Sequence, residues 1–76
     1  MEEQIKQIIA RVLHVDAGIV VDALSSGDIP EWNSMGNLAI LSTIEQELAV
    51  EFPLEDLLDL TSVRSIIDEV EKLKNV

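Results

Sequence analysis

Apolar residues recur with helical spacing at both ends of the chain. Ile5, Ile8, Ile9, Val12 and Leu13 keep the i, i+3, i+4, i+7, i+8 rhythm and predict a helix over roughly residues 2–14. Val63, Ile66, Ile67, Val70 and Leu73 repeat it near the C-terminus. Thr61 or Ser62 is available there as N-cap, and Lys72 and Lys74 suit the negative end of that helix. A third helix is predicted from about Ser34 to Leu48. At about 100° per residue, Ile40, Leu41, Ile44 and Leu48 fall in one sector and mark its buried face. Met35, Ala39 and Ser42 lie opposite, and Leu38 sits on the flank beside Ser34 and Glu45.

The connections differ from one another. Pro53 interrupts the chain, and a short helix of about one and a half turns is expected after it. The stretch from His14 to Asn33 is long for a link between helices. Gly18, Gly27, Pro30 and the turn signal Ser25-Ser26-Gly27-Asp28 keep it irregular, while Ile19, Val21, Leu24 and Ile29 are expected to pin it across the bundle. Gly18 to Val21 has some strand character but no partner strand. There is no internal repeat and no low-complexity tract. The expected fold is all-α, a small four-helix bundle of three longer helices and one short one with a long first loop. It forms a single domain over residues 1–76.

Composition narrows the function. With 47% hydrophobic residues but only Trp32 and Phe52 as aromatics, the core must be aliphatic. The absence of cysteine excludes a disulfide framework and a thiolate metal site. The formal charge is −10, and all five basic residues, Lys6, Arg11, Arg64, Lys72 and Lys74, lie toward the ends. Ten acids and no lysine or arginine stand between Arg11 and Arg64. Nothing there neutralises a phosphate backbone, so nucleic-acid binding is excluded, and docking on basic partners fits. Met1-Glu2-Glu3-Gln4 lacks the basic start of a secretory signal, and no apolar run approaches spanning length, so a cytoplasmic protein without a membrane role is expected.

The candidate chemistry gathers at Ser34, in the run Ile29-Pro30-Glu31-Trp32-Asn33-Ser34-Met35-Gly36. Asn33 or Ser34 is a good N-cap, and a hydroxyl in the first turn of a helix lies where unpaired amides favour a phosphate. Trp32 is expected to clamp the loop onto the bundle. His14, the single histidine, ends the first helix and is read as structural. A serine hydrolase is not expected, because no strand and no first glycine of a nucleophile elbow precede Ser34. Glu55, Asp56 and Asp59 lack the spacing of a calcium loop and read as a solvated face.

These residues, taken in order, resemble the acyl carrier proteins and the related peptidyl carriers. The signature of that family, Asp-Ser-Leu at the start of its second helix, reads here Asn33-Ser34-Met35. Gly27-Asp28-Ile29-Pro30-Glu31-Trp32 before it and Gly36 after it are similar to many stand-alone carriers. Ile44-Glu45-Gln46-Glu47-Leu48, Val50-Glu51-Phe52-Pro53 and Leu60-Thr61-Ser62-Val63 match later landmarks in order and spacing. The resemblance implies that a phosphopantetheinyl transferase attaches the 4′-phosphopantetheine arm of coenzyme A to Ser34. The arm's thiol then holds acyl or aminoacyl groups as thioesters, so the chain is a substrate carrier and not an enzyme. The implied partners are that transferase, an acyl- or aminoacyl-loading ligase, and a downstream synthase or transferase with a basic docking surface. Lipid, polyketide and nonribosomal peptide biosynthesis all use such carriers.

By position, Met35, Leu38, Ala39, Ser42, Glu45 and Glu51 are the expected docking residues. A monomer is the simplest expectation. The aliphatic interior between the second and third helices is a candidate shelter for an acyl chain. Asn33 in place of the usual aspartate removes a charge that transferases engage, and Ala39 stands where fatty-acid-type carriers often have an acid. Both departures point to a dedicated pathway. The alternative reading is a non-covalent acidic helical adaptor that has lost the modification.

Overall fold

The computed structural model describes residues 1–75. Three α-helices, α1 (Glu2–Leu13), α2 (Ser34–Leu48) and α3 (Val63–Lys74), carry the fold, and the 3-10 segment Leu54–Asp59 is the short fourth helix. A single 3-10 turn, Ala17–Ile19, stands in the first loop, and no sheet forms among the described residues.

Each helix buries the stripe its sequence marks. Ile5, Ile8, Ile9, Ala10 and Leu13 face inward from α1, Ile40, Leu41 and Ile44 from α2, and Val63, Ile66, Ile67 and Val70 from α3. Leu48, expected on the buried face of α2, is only half-buried because the helix ends there. Glu2 and Glu3 in the first turn of α1 complement the positive end of its dipole. His14 stops α1 in the left-handed region, φ 59°. The N-cap of α3 is Ser62, whose Oγ accepts from the Ser65 amide, while Ser65 Oγ accepts from the Ser62 amide, a capping box.

The long first loop is ordered by pairing with the start of α3. The amides of Val63 and Arg64 donate to the carbonyls of Leu24 and Asp22, the Ser26 amide donates to the Thr61 carbonyl at 2.8 Å, and Ser25 and Ser62 form an isolated bridge. Val20 and Trp32 are its buried anchors, with Leu24 and Ile29 packed half-buried against the core. Ile19 and Val21, expected to help pin it, are exposed instead. Strand character at Gly18–Val21 yields to the 3-10 turn, which the side chain of Asp16 caps at the Gly18 amide.

Charge reinforces the same pairing. Lys6 Nζ and Arg64 Nη1 each lie 3.0 Å from the Asp22 carboxylate, tying the loop to α1 and α3. Hydrogen bonds from Lys6 and then Arg64 hold the Asp22 carboxyl below its ordinary value. Arg64 also reaches Asp68 at 2.8 Å, and that bond helps raise its own already high value. Arg11 pairs with Glu47 across α1 and α2.

Candidate functional site

Ser34 is the first residue of α2 and is exposed. Asn33 takes the capping role: its backbone is extended and its Oδ1 accepts from the Gly36 amide at 2.8 Å. The serine hydroxyl is thereby spared, and among the described residues it makes no hydrogen bond. First-turn amides have no partner within a helix, and the first turn of α2 holds no acid. A phosphate diester on Ser34 Oγ would therefore meet favourable amides and no carboxylate from its own turn.

Gly36 and Trp32 set the position of this turn. A Cβ at residue 36 would stand 2.7 Å from the Glu31 carbonyl oxygen and 3.1 Å from Leu13 Cδ2, so only glycine admits the loop this close to α2. Trp32 is fully buried, and its indole N–H donates to Asn37 Oδ1 at 2.8 Å. That confirms the clamp expected of Trp32.

One groove borders the serine and a second adjoins the first. The first, about 370 Å³, is lined by Ser34 itself with Ser26, Asn37, Leu38, Leu57, Leu58 and Thr61. The second, about 640 Å³, runs on between α2 and the 54–59 segment past Leu41, Ser42, Glu45, Glu51, Phe52 and Leu54. Leu38 and Leu57 belong to both, so they stand at the junction. The residues present suit a phosphopantetheine arm: a free hydroxyl, a helix start without negative charge, and an adjoining trough that mixes hydroxyls with leucines.

The expected docking residues divide in two. Met35 and Leu38 are exposed at 80% and 61%, and Ala39, Ser42 and Glu51 are exposed as well. Glu45 is half-buried, and its carboxylate accepts from the Phe52 amide at 2.8 Å, bracing the turn after α2. Leu54 and Leu58, 82% and 90% exposed, extend the apolar strip onto the opposite wall. Spacing could not reveal them, because a 3-10 segment follows no 3.6-residue rhythm.

Within the acidic run, Glu55 and Asp59 are solvated as expected, but Asp56 is half-buried beside Glu69. Burial, and then the Asp56 carboxylate, push the Glu69 carboxyl above its ordinary value, and Glu69 Oε2 is shielded without a partner. No group of three or more acids, histidines or cysteines able to hold a metal occurs among the described residues. No helix of the described chain is long and apolar enough to cross a membrane.

Comparison with known proteins bears on the serine's surroundings. Residues 31–70, just over half of the chain, match the family model described as a phosphopantetheine attachment site. The chain belongs to that family. Its cofactor class is phosphopantetheine, and its members are carriers, not catalysts. The fold agrees: the solution structure of a holo acyl carrier protein from Geobacter metallireducens superposes with a TM-score of 0.85. That match has 23% identity and covers 97% of this chain and 85% of the other.

Proposed function

We propose that Ser34 is the attachment residue and that the carrier presents acyl or aminoacyl groups as thioesters on the arm it bears, in a dedicated biosynthetic pathway. The observation that carries this reading is the division of labour at the start of α2. Asn33 caps the helix, and Ser34 keeps a free, exposed hydroxyl beside a trough of about 370 Å³. The bound arm supplies the thiol that this cysteine-free chain lacks.

The protein's own residues do the positioning. Gly36 lets the loop close on α2, Trp32 anchors it, and the amides at the helix start favour the phosphate. Met35, Leu38, Ala39 and Ser42 offer an exposed face beside the arm, with Glu45 and Glu51 at its rim. This supports docking of a transferase, a loading ligase and a downstream synthase through apolar contacts bordered by basic groups.

The test is intact mass after incubation with coenzyme A, magnesium and a broad-specificity phosphopantetheinyl transferase. One phosphopantetheine on the parent and none on Ser34→Ala is the expected result. No addition to the folded parent, with addition to Asn33→Asp, would assign the block to the missing aspartate. No addition to either would favour the non-covalent adaptor.

A further inference from the structure

Asn37 is the one buried polar side chain among the described residues. An amide in an aliphatic interior is costly unless both of its ends are bonded. Here they are. Oδ1 accepts the Trp32 indole N–H at 2.8 Å, and Nδ2 donates to the Leu60 carbonyl at 3.1 Å. An indole can only donate and a backbone carbonyl can only accept, so the amide's orientation is dictated by its partners. Whatever stands at 37 must accept on one side and donate on the other.

A second set of bonds closes the circuit. The Ser26 amide donates to the Thr61 carbonyl at 2.8 Å, and Ser26 Oγ donates to the Trp32 carbonyl at 3.3 Å. Trp32, Asn37, Leu60-Thr61 and Ser26 thus form a ring. Three of them, Ser26, Asn37 and Thr61, line the groove that holds Ser34. The ring joins the residue two before Ser34, the α2 turn directly after it, and the chain leaving the 54–59 wall. Leu60 is tied to that wall in turn by its amide, which donates to the Leu57 carbonyl.

We propose that Asn37 is a positioning residue for arm attachment at Ser34, holding the serine's turn and the Leu57–Leu58 wall in one register by acting as acceptor for Trp32 and donor for Leu60. The proposal rests on the reading of Ser34 as the attachment residue. Asn37 itself need not touch the arm or the transferase. It acts through Trp32 on the loop before the serine and through Leu60 on the wall opposite.

Two variants test it. Asn37→Leu keeps the size and removes both bonds. Asn37→His keeps an acceptor and a donor while neutral and loses the acceptor when protonated, at a pH that burial and the Trp32 N–H move below its ordinary value of about 6.5. None of the residues lining the groove is an acid or a base, so a pH response of the histidine variant reports on residue 37. Transfer from coenzyme A is followed by intact mass over a range of carrier concentrations, alongside the emission of Trp32, the single tryptophan.

Asn37→Leu is expected to lower kcat roughly 10- to 100-fold with little change in KM, the mark of a displaced nucleophile on an intact docking face. Its Trp32 emission should shift. Asn37→His, normalised to the parent at each pH, should approach parent rates above about pH 7.5 and fall below about pH 5.5. A folded Asn37→Leu with parental kcat and emission would overturn the proposal, as would a histidine variant that is equally slow at every pH. If Asn37→Leu does not fold, the histidine profile decides. If the parent itself accepts no arm, the attachment reading fails. The ring is then judged by emission alone: a Trp32 signal that titrates in Asn37→His supports it, and a flat one overturns it.

Discussion

Helices α2 and α3 pack into one core but divide their apolar residues differently. In α3 they are confined to one stripe, Val63, Ile66, Ile67 and Val70, and the outward positions Asp68, Lys72 and Lys74 are charged. In α2 they stand on both sides: Ile40, Leu41 and Ile44 face in, while Met35, Leu38 and Ala39 face out. The caps repeat the contrast. Ser62 and Ser65 spend both hydroxyls on closing the start of α3, whereas at α2 the cap is a neighbour's amide and the serine is left free. A helix that serves only the core can be uniformly amphipathic. If Ser34 carries the arm as proposed, α2 also has to meet other proteins, and its outward apolar residues and free hydroxyl serve that second role.

Core and outward truncations should separate the two helices most sharply. Ile66→Ala, removing a fully buried side chain, is expected to cost about 2–5 kcal/mol. Met35→Ala and Leu38→Ala should stay within about 0.5 kcal/mol of the parent. Urea titration followed by circular dichroism reads all three. The outward pair should instead weaken partner engagement, each by about 5- to 10-fold in the KM of arm transfer. Equal stability losses in the two helices would erase the contrast.

The caps give the next largest effect. Asn33→Ala and Ser62→Ala should each cost about 0.5–2 kcal/mol of stability. Only Asn33→Ala is expected to slow attachment as well, because Ser34 follows it directly, and parallel denaturation and transfer assays distinguish the two.

The smallest effect concerns pH. Burial and the neighbouring Asp56 raise the Glu69 carboxyl above its ordinary 4.5, so the charged form burdens the fold. Its contribution is most favourable below 4.5 and is lost as pH rises through the raised value. Asp22 has the opposite sign: its lowered carboxyl stabilises the fold above the ordinary 3.8, and that stabilisation is lost as pH falls through the depressed value. Glu69→Gln should therefore raise Tm at about pH 7.5 and match the parent near pH 3. Differential scanning calorimetry at the two pH values reads the difference.

The legible parts of the molecule were those governed by local spacing. The stripes of α1 and α3 and the inward face of α2 follow from a 3.6-residue repeat that needs no knowledge of neighbours. The first loop was harder because its order comes from distant pairing: Ser25 meets Ser62, and Leu24 meets Val63. Hence Val20 is buried while Ile19 and Val21, equally apolar, are not. At the site, Ser34, Asn33 and Trp32 stood out by type and placement. Asn37 did not, although a signal was present, since it shares the stripe of Ile40, Leu41 and Ile44. A polar residue on a buried stripe must have two partners, and those lie in Trp32 and Leu60, which only the fold brings near. Glu45 looked like surface for the same reason, its bond to Phe52 being made after the chain reverses.

That reversal has a further consequence. Ala49 ends α2 in the left-handed region, φ 56°, without being glycine, a conformation that costs an ordinary residue about 1–2 kcal/mol. Pro53 opposes any continuation, because in a longer helix its ring would clash with the Ala49 carbonyl. The strut from the Glu45 carboxylate, a helix residue, to the Phe52 amide beyond the helix then fixes the direction of the outgoing chain. The length of α2 is therefore set twice over, by a proline that cannot continue it and by a side chain that reaches past its end. Because Phe52 is buried in the core, winding on the last turn would have to unpack the interior.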